Sequence, residues 1–421
     1  MAAPSDIASG DAFLSAAGEK LADLGAQQMR LERSVINLIA SDNALPRKFA
    51  EYPPYPGHII QEGLVGARPF AGAALHDEIE RLAAAIACRV FSAEHANLQP
   101  HSCSQANQAV YHALLKPGDP VLALGFRDGG HLTHGLGINF SGRLYRFSYY
   151  HTGADGLIDY ENAEALARSL QPKLIVCGSS SYPRWYNGER LRAISDLCGA
   201  VLMFDLSHEA GLIAGGALSN LVPLADVATM SLDKTLRGPF GGMILCKKAL
   251  AGRVDRAVHP GTQSSFPIRR LTDSAAALIA SQTPDFAAYA RNTVETARVL
   301  GSALAARGAV LLTGGTDKHY VVVDTFRSYG ISGAKAERAL EGVDMLSSRQ
   351  TLPDDASQRS NAASGLRLGA AWISSRGYLA KEAHAVAGLV HDTLTGARRR
   401  SDIREQVRAL AGRARTLDVW R

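Results

Sequence analysis

The sequence has no apolar segment that approaches the roughly 20 residues needed by a membrane-spanning helix. Its first residues, MAAPSDIASGD, contain an acid and have neither the basic stretch nor the apolar stretch of a secretory signal peptide. Only five cysteines are present, and no two of them are spaced closely enough to form a zinc knuckle. We therefore expect a cytoplasmic protein with free thiols that binds no membrane and no metal ion.

Aromatic residues make up only 7% of the chain, and the net charge is a modest +5. Much of the positive charge lies in the C-terminal arginines, which are Arg398, Arg399, Arg400, Arg404, Arg408, Arg413, Arg415 and Arg421. A basic tail can bind nucleic acid, but residues 398–415 include no aromatic side chain that could stack on a base. A solvated helix face is the favoured interpretation, and we expect no nucleic-acid partner.

Two glycine-rich phosphate motifs are also missing. No strand-like segment is followed by G-x-G-x-x-G, and the chain contains no P-loop. These absences count against hydride transfer from a dinucleotide and against phosphoryl transfer.

The 421 residues, 46% hydrophobic and 20% charged, are enough for two or three packed cores. Apolar periodicity predicts helices at about residues 11–30 and 76–91, separated by a long loop that contains EYPPYPG. Strands then alternate with helices; the strands are PVLALG at 120–125, KLIVCG at 173–178, AVLMFD at 200–205, DVATMSL at 226–232 and GMILC at 242–246. This alternation predicts an α/β fold with a mostly parallel sheet covered on both faces.

The pattern changes near residue 280 to a long helix, DFAAYARNTVETARVLGSALAARG, followed by the strands AVLLTG and YVVVDTF and by more helices. This change predicts a smaller C-terminal α+β domain. We expect an N-terminal helical arm at 1–30, a large domain at 31–280 and a small domain at 281–421.

Polar residues follow the predicted strands at the places where an open α/β sheet binds ligands. In QPHSCSQAN, Ser102, Cys103 and Ser104 begin a predicted helix, whose free N–H groups suit a phosphate. A serine N-cap is the alternative explanation. In GGHLTHG, paired glycines let the backbone approach a ligand beside His131 and His134, although single histidines more often serve packing.

A carboxylate and a lysine follow two later strands. Asp205 ends the strand of FDLSHEAG with His208 close behind, and a helix N-cap is the alternative role for this acid. Lys234, in MSLDKTLRGPFGG, directly follows a buried strand, where loss of solvent favours the neutral, nucleophilic amine that forms a Schiff base. A phosphate-binding helix start, a carboxylate and a lysine at strand ends are together what pyridoxal phosphate requires.

Longer motifs indicate a family. They are LIASDN, EHANLQPHSCSQANQAVYHALLKPGD, GGHLTHG, INFSGRLY, GLIDY, PKLIVCG, SSYPR, FDLSHEAGLIAGG, KTLRGPFGG and SGLRLGAAW. In order and spacing, these segments resemble serine hydroxymethyltransferase over most of the chain. The resemblance implies fold type I, pyridoxal phosphate as the coenzyme and a small amino acid as the substrate.

The resemblance also implies how the coenzyme is bound. Lys234 would hold it, Asp205 would pair with the pyridinium nitrogen, and His131 would stack on the ring. The other implied contacts are the phosphate ligands Ser102, Cys103 and Ser104, the residues near the ring oxygen Ser180 and His208, Ser231 near the lysine, and Gly261 in the PGTQSS turn.

For the substrate, the resemblance implies that Arg367 binds the carboxylate with help from Ser41. A planar bidentate donor suits that role. Glu62 would handle protons at the substrate hydroxyl, and Lys234, His131 and His208 would complete the catalytic set. Glu62 and the turn around Gly261 would come from the neighbouring subunit of a homodimer or of a dimer of dimers.

Several positions depart from the family pattern. They are Ile60, Pro69, Phe70 and Ala71 near the acid, Asp233 and Phe240 around the lysine, Thr262, Ser264 and Ser265 in the neighbouring-subunit turn, and Gln350 in the folate-binding loop. These changes cluster at the expected mouth of the site, whereas the lysine, aspartate, histidine and arginine are kept.

This clustering favours the hypothesis of a specialised folate-independent aldolase or transaldolase. Such an enzyme makes or breaks the Cα–Cβ bond of a β-hydroxy-α-amino acid and exchanges an aldehyde. The alternative is a tetrahydrofolate-dependent serine or α-methylserine hydroxymethyltransferase whose substitutions are tolerated. A non-catalytic paralogue is the third hypothesis, and retention of Lys234 and Arg367 argues against it.

Overall fold

The computed structural model describes residues 10–44, 46, 59–355 and 363–414, with side chains described from residue 14 onward. The EYPPYPG segment of the predicted loop and the arginines at 415 and 421 lie outside these residues.

Helices and strands alternate through the first two thirds of the described chain, as the sequence pattern predicts. The helices are α1 Gly10–Ser34, α2 Ala74–Phe91, α3 Cys103–Leu114, α4 Phe140–Leu144, α5 Tyr160–Leu170, α6 Gly188–Cys198, α7 Ala210–Ala214, α8 Ala251–Val258, α9 Ile268–Ala280, α10 Pro284–Ala305, α11 Thr325–Tyr329, α12 Gly333–Glu341, α13 Ala371–Ser375, α14 Ala380–Thr395 and α15 Arg400–Arg413. The strands are β1 Ile36–Asn37, β2 Ile60–Glu62, β3 His95–Asn97, β4 Pro120–Leu124, β5 Arg146–Tyr150, β6 Leu174–Gly178, β7 Val201–Asp205, β8 Val227–Ser231, β9 Gly242–Cys246, β10 Ser265–Pro267, β11 Val310–Leu311, β12 Tyr320–Asp324, β13 Met345–Leu346, β14 Ser348–Gln350 and β15 Gly365–Gly369.

A seven-stranded sheet in the order β3-β9-β8-β7-β6-β4-β5 forms the centre of the larger part. Neighbouring strands from β8 to β5 are parallel, and β9 runs antiparallel to both β8 and β3. Every residue of β6, β8 and β9 is buried, because helices cover both faces of the sheet. The predicted α/β fold with a mostly parallel sheet is confirmed.

The register of this sheet brings the ends of several strands to one edge. Gly178, the last residue of β6, pairs with Asp205, the last residue of β7. Ser231 ends β8, and Lys234 follows it by three residues. The polar residues that the sequence places after separate strands therefore meet at the carboxyl edge of the sheet.

A second, smaller sheet in the order β11-β12-β15-β14 is antiparallel throughout. Its apolar core includes side chains of α10 and α14 and also Ile36 and Leu38. β1 pairs with β13, so this early segment packs with the C-terminal part of the chain rather than with the large sheet. The boundaries that we expect for three domains stay a prediction.

All five cysteines lie in the described part of the chain, and none forms a disulfide. A search of the described helices found none with the length and apolar character needed to cross a bilayer.

We predict that Gly178→Ala lowers the free energy of unfolding by about 1–3 kcal/mol. A Cβ at this position would lie 2.5 Å from the carbonyl oxygen of Asp205 and 2.6 Å from its Cβ, so the two strands would have to separate. Urea unfolding measures the effect. Gly137→Ala, whose Cβ would meet no atom within 4 Å, is the control; equal stability of the two variants would contradict the strand register described above.

Candidate active site

A cavity of about 560 Å³, measured with its open mouth, lies at the carboxyl edge of the large sheet. Its walls come from the ends of β6, β7 and β8 and from the start of α3, and consist of Ser102, Cys103, Ser104, Asn107, His131, Ser179, Ser180, Asp205, Ser207, His208, Ser231, Asp233, Lys234 and Phe240. Nine of the residues singled out from the sequence are brought together here: Ser102, Cys103, Ser104, His131, Ser180, Asp205, His208, Ser231 and Lys234.

The start of α3 forms one wall of the cavity. Ser102 is the N-cap, and its Oγ accepts a hydrogen bond from the backbone N–H of Gln105 at 3.2 Å. β9 packs closely against this turn, because a Cβ on Gly242 would lie 2.3 Å from the Ser102 carbonyl oxygen. The other N–H groups of the first helical turn have no partner within a helix, so the turn can bind an anion while Ser102 caps it.

Asp205 lies at the base of the cavity and is almost completely buried. Its Oδ2 accepts hydrogen bonds from Asn107 Nδ2 at 2.8 Å and from His134 Nε2 at 3.0 Å. Its Oδ1 accepts from the backbone N–H of Ser207 at 3.1 Å and from the Ser207 hydroxyl. The thiol of Cys103 also faces this carboxylate, with Sγ 3.7 Å from Oδ1.

These donors determine the charge of Asp205. Burial alone would raise the pKa of its carboxyl, but the hydrogen bonds from His134 and from the Ser207 hydroxyl hold that pKa well below its ordinary value. Burial raises the pKa of the neighbouring Cys103 thiol, and the charge of Asp205 raises it further. The cavity therefore contains a permanent carboxylate beside a neutral thiol.

His131 and His134 lie on the turn after β4. Gly129 begins this turn with φ of +106°, and a Cβ there would lie 2.5 Å from the backbone nitrogen of Tyr182, so glycine is required. His131 lines the cavity, and burial together with His134 lowers its pKa to about 4. The neutral ring of His131 therefore offers the cavity a flat, weakly polar face.

Ligand atoms of His131, His134 and Asp205 lie within 4.8 Å of one another, a spacing that would suit a metal ion. However, both Asp205 oxygens already accept hydrogen bonds from protein groups. The arrangement therefore favours a hydrogen-bonded carboxylate over a metal ligand.

Lys234 projects from the turn after β8. Asn43 Nδ2 donates to the Lys234 carbonyl oxygen at 2.9 Å and to Tyr289 Oη at 2.7 Å, which fixes the lysine backbone to two other segments. Asp233 also lines the cavity, and burial raises the pKa of its carboxyl while the charge of Lys234 opposes the rise. Phe240, at the mouth of the cavity, is 71% exposed.

The small sheet places Arg367, in β15, and His319, directly before β12, next to this cavity. Arg367 Nη1 donates to the carbonyl oxygen of Ser180, whereas its buried Nε has no hydrogen-bond partner among the described residues. A buried guanidinium N–H without a partner is suited to an incoming carboxylate. His319 lies against His208 with 5.4 Å between ring centroids and 3.3 Å between Nε2 of His319 and Nδ1 of His208.

Among the described residues, Ser41, Glu62, Gly261 and Arg367 do not belong to the cavity wall, although Arg367 is hydrogen-bonded to Ser180 of that wall. Ser41 Oγ lies 3.4 Å from Asp42 Oδ1, and the charge of Asp42 reaches Arg367. Glu62 ends β2, which pairs with β10 and places Glu62 opposite Ser265, close in sequence to Gly261. Glu62 and the turn around Gly261 therefore share one ladder outside the cavity of their own chain.

Sequence analysis gave no role to several residues that the structure places at the site: Asn43, Asn107, His134, Ser179, Ser207 and His319. Four of them lie within motifs already considered, namely Asn43 in LIASDN, Asn107 in QPHSCSQAN, His134 in GGHLTHG and Ser207 in FDLSHEAG. For these four, a polar position close to a predicted ligand residue is the available signal.

We predict that the melting temperature falls as the pH is lowered from about 6.5 to about 4. Burial is the main cause that lowers the pKa values of His131, His208 and His319 in the folded protein. The unfolded chain therefore binds more protons in this window, and each histidine contributes a stability loss of up to about 1.4 kcal/mol per pH unit.

Calorimetry over this pH range measures the slope. His319→Gln is expected to flatten it, whereas His384→Gln, at an exposed position, is expected to leave it unchanged. A profile without slope in the original protein would contradict the assignment of neutral, buried histidines.

Comparisons with known proteins agree with this geometry. The family model described as "Serine hydroxymethyltransferase" matches residues 14–390. "Serine hydroxymethyltransferase 1" of Rhodospirillum rubrum is 41% identical over 413 residues, which cover 95% of this chain and 94% of that protein. "Serine hydroxymethyltransferase" of Acidobacterium capsulatum is 41% identical over 357 residues, which cover 84% of this chain and 82% of that protein. The chain belongs to the serine hydroxymethyltransferase family and is therefore a pyridoxal phosphate-dependent transferase of fold type I.

Proposed function

We propose that the protein is a tetrahydrofolate-dependent hydroxymethyltransferase that interconverts L-serine and glycine. The observation that carries this proposal is the joint presence of Lys234, Asp205 and His131 on one cavity wall, with Arg367 hydrogen-bonded to Ser180 of the same wall. The 41% identity to two serine hydroxymethyltransferases over most of the chain supports it further. These relatives favour the folate-dependent activity over the folate-independent aldolase that the substitutions suggested to us.

Pyridoxal phosphate fits the chemistry of the donor set. Lys234 supplies an amine, the ionised Asp205 can hold a proton on the ring nitrogen, and the start of α3 offers N–H groups and hydroxyls to a phosphate. Cys103 would contribute its backbone N–H, because its thiol faces Asp205. When bound, the coenzyme accepts electrons from the Cα of an attached amino acid, so that a bond at that atom can break.

The residues around the coenzyme site have separate tasks in this proposal. His131 would pack against one face of the ring, Ser180 and His208 would lie near its oxygen, and Ser231 would lie near Lys234. Arg367 binds the substrate carboxylate through its unpartnered Nε, and Ser41 assists from the adjoining segment. Binding of the carboxylate in this way orients the Cα–Cβ bond of the substrate for cleavage.

In this proposal, Glu62 of a second copy of the chain accepts and returns the proton of the substrate hydroxyl. Glu62 and Gly261 lie away from the cavity of their own chain, and apolar side chains near them are exposed in one copy, with Ile60 at 55% and Phe70 at 44%. Both facts support a homodimer in which each copy completes the site of the other. Whether two such dimers associate is a separate question, which sedimentation of the holoenzyme answers.

A second candidate function rests on the exposed Phe240 and the half-buried Asp233 on the cavity wall. An aromatic ring and a carboxylate at the mouth alter the surface that a second substrate meets. These residues favour a folate-independent aldolase or transaldolase that passes the aldehyde to another acceptor.

Product analysis separates the two functions. We predict that the purified holoenzyme forms glycine from L-serine only when tetrahydrofolate is present. L-Threonine and α-methylserine are tested in parallel, each with and without tetrahydrofolate. Glycine from threonine, or alanine from α-methylserine, formed in the absence of folate would contradict the first proposal and favour the second candidate.

The assignment of the lysine has its own test. We predict that Lys234→Ala folds but loses the absorbance of covalently bound coenzyme, because no other amine lines the cavity within the described residues. Lys173→Ala, at an exposed position, is the control and should keep that absorbance. Borohydride reduction followed by peptide mapping locates the label, and labelled protein in the Lys234→Ala variant would show that the lysine is wrongly assigned.

A further inference from the structure

A completely buried ion pair lies behind the cavity. Lys318 Nζ is 2.7 Å from Glu209 Oε1, and both side chains have no exposed surface. Glu209 follows β7 and Lys318 precedes β12, so the pair joins the large sheet to the small sheet. A buried pair is weak as a source of stability, because desolvation of two charges offsets their attraction, so a role other than stability is worth seeking.

Lys318 is held rigidly by groups of the larger part. In addition to Glu209, its ammonium group donates to Tyr186 Oη at 2.8 Å and to Ser179 Oγ at 3.2 Å. The same nitrogen lies 4.0 Å from the centroid of the Tyr186 ring. The ammonium group thus has two hydrogen-bond acceptors and one ion-pair partner, and the start of β12 is fixed to the segments that follow β6 and β7.

Each member of the pair offsets part of the other's desolvation. Burial lowers the pKa of Lys318, and the charge of Glu209 opposes this change. Burial raises the pKa of Glu209, and the charge of Lys318 opposes that change. Neither carboxylate oxygen of Glu209 has an aligned hydrogen-bond donor among the described residues, so the nearby ammonium group of Lys318 is its main compensation.

Both charged residues are sequence neighbours of histidines at the cavity. His208 precedes Glu209 and lines the cavity, whereas His319 follows Lys318 and lies against His208. The two rings are nearly parallel, with an interplanar angle of 20°. A shift of Glu209 relative to Lys318 would therefore change the contact between the two imidazoles.

The pair is also connected to Arg367 through the small sheet. β12 pairs with β15, and Val322 lies opposite Arg367. The Arg367 guanidinium lies 5.9 Å from the centroid of the Tyr320 ring, two residues after Lys318. Fixing the start of β12 therefore also fixes the strand from which Arg367 reaches Ser180 of the cavity wall.

We propose that Glu209 and Lys318 are positioning residues, which hold His208 and Arg367 in the arrangement that binds the amino acid. This inference rests on the proposed function, because it takes Arg367 as the ligand of the substrate carboxylate. Neither residue touches the substrate; both act through the two histidines and the β12–β15 ladder.

The test is equilibrium binding of glycine to the holoenzyme. The change in coenzyme absorbance measures the binding. The variants are Glu209→Gln, Lys318→Met and the double variant that combines them. The double variant removes both charges of the pair, so it leaves neither of them buried without its partner. We expect each variant to retain its coenzyme and to raise the dissociation constant for glycine roughly tenfold or more, because small displacements of binding groups are costly. Melting temperatures of all holoenzymes are measured in parallel, and binding is measured well below the lowest of them.

Asp317→Asn is the matched control. Arg184 Nη1 lies 3.1 Å from Asp317 Oδ1, so this pair also joins the two sheets, next to Lys318 in sequence, but it is partly exposed and lies against neither histidine. We expect glycine binding by Asp317→Asn to equal that of the original protein.

Several outcomes would overturn the inference. A double variant that binds glycine as tightly as the original protein would show that the pair does not position the site, and a lowered melting temperature with unchanged binding would show a purely structural role. A loss in Asp317→Asn equal to that in Lys318→Met would show that any contact between the sheets has the same effect. If Lys318→Met does not fold, the nearly isosteric Glu209→Gln and the double variant decide. Absence of glycine binding by the original holoenzyme would instead overturn the proposed function and this inference with it.

Discussion

The ionised carboxylate of Asp205 is the constraint on which the rest of the site depends. It is buried at the end of a central strand, where a charge is tolerated only with several hydrogen-bond donors. Asn107 comes from α3, whose first turn forms one cavity wall, His134 comes from the loop that carries His131, and Ser207 follows the strand itself. Satisfying one carboxylate therefore fixes three segments of the large sheet relative to each other, and those segments form the base and walls of the cavity.

The second part of the chain completes what the large sheet begins. Lys234 and Asp205 lie at the ends of parallel strands, but the guanidinium of Arg367 comes from the antiparallel sheet that follows α10. The contact between the two sheets consists of stacked imidazoles with a buried ion pair behind them. The proposed substrate site thus depends on the contact between the large and the small sheet. Small shifts at this contact would weaken binding of the amino acid first.

Much of this architecture was predictable because it depends on local patterns. Apolar runs ending in Asp205 or just before Lys234 indicated buried parallel strands, and the geometry of such sheets brings their ends to one edge. The Glu209–Lys318 pair was not predictable, because its members lie far apart in the sequence and no local pattern marks them as partners. The packing of Ile36 with the C-terminal core was missed for the same reason, since a two-residue strand leaves no periodic signal. The α/β fold, the coenzyme and the family are confirmed, whereas the roles of individual site residues stay predictions.

The most direct test of the central claim concerns Asp205 alone. The measurement is the rate of glycine formation from L-serine by Asp205→Asn holoenzyme, compared with the original protein at equal coenzyme content. An asparagine keeps the size of the side chain but loses the charge that would hold a proton on the ring nitrogen. The account predicts a variant that retains coenzyme on Lys234 and loses its activity by orders of magnitude. A rate close to that of the original protein would contradict it.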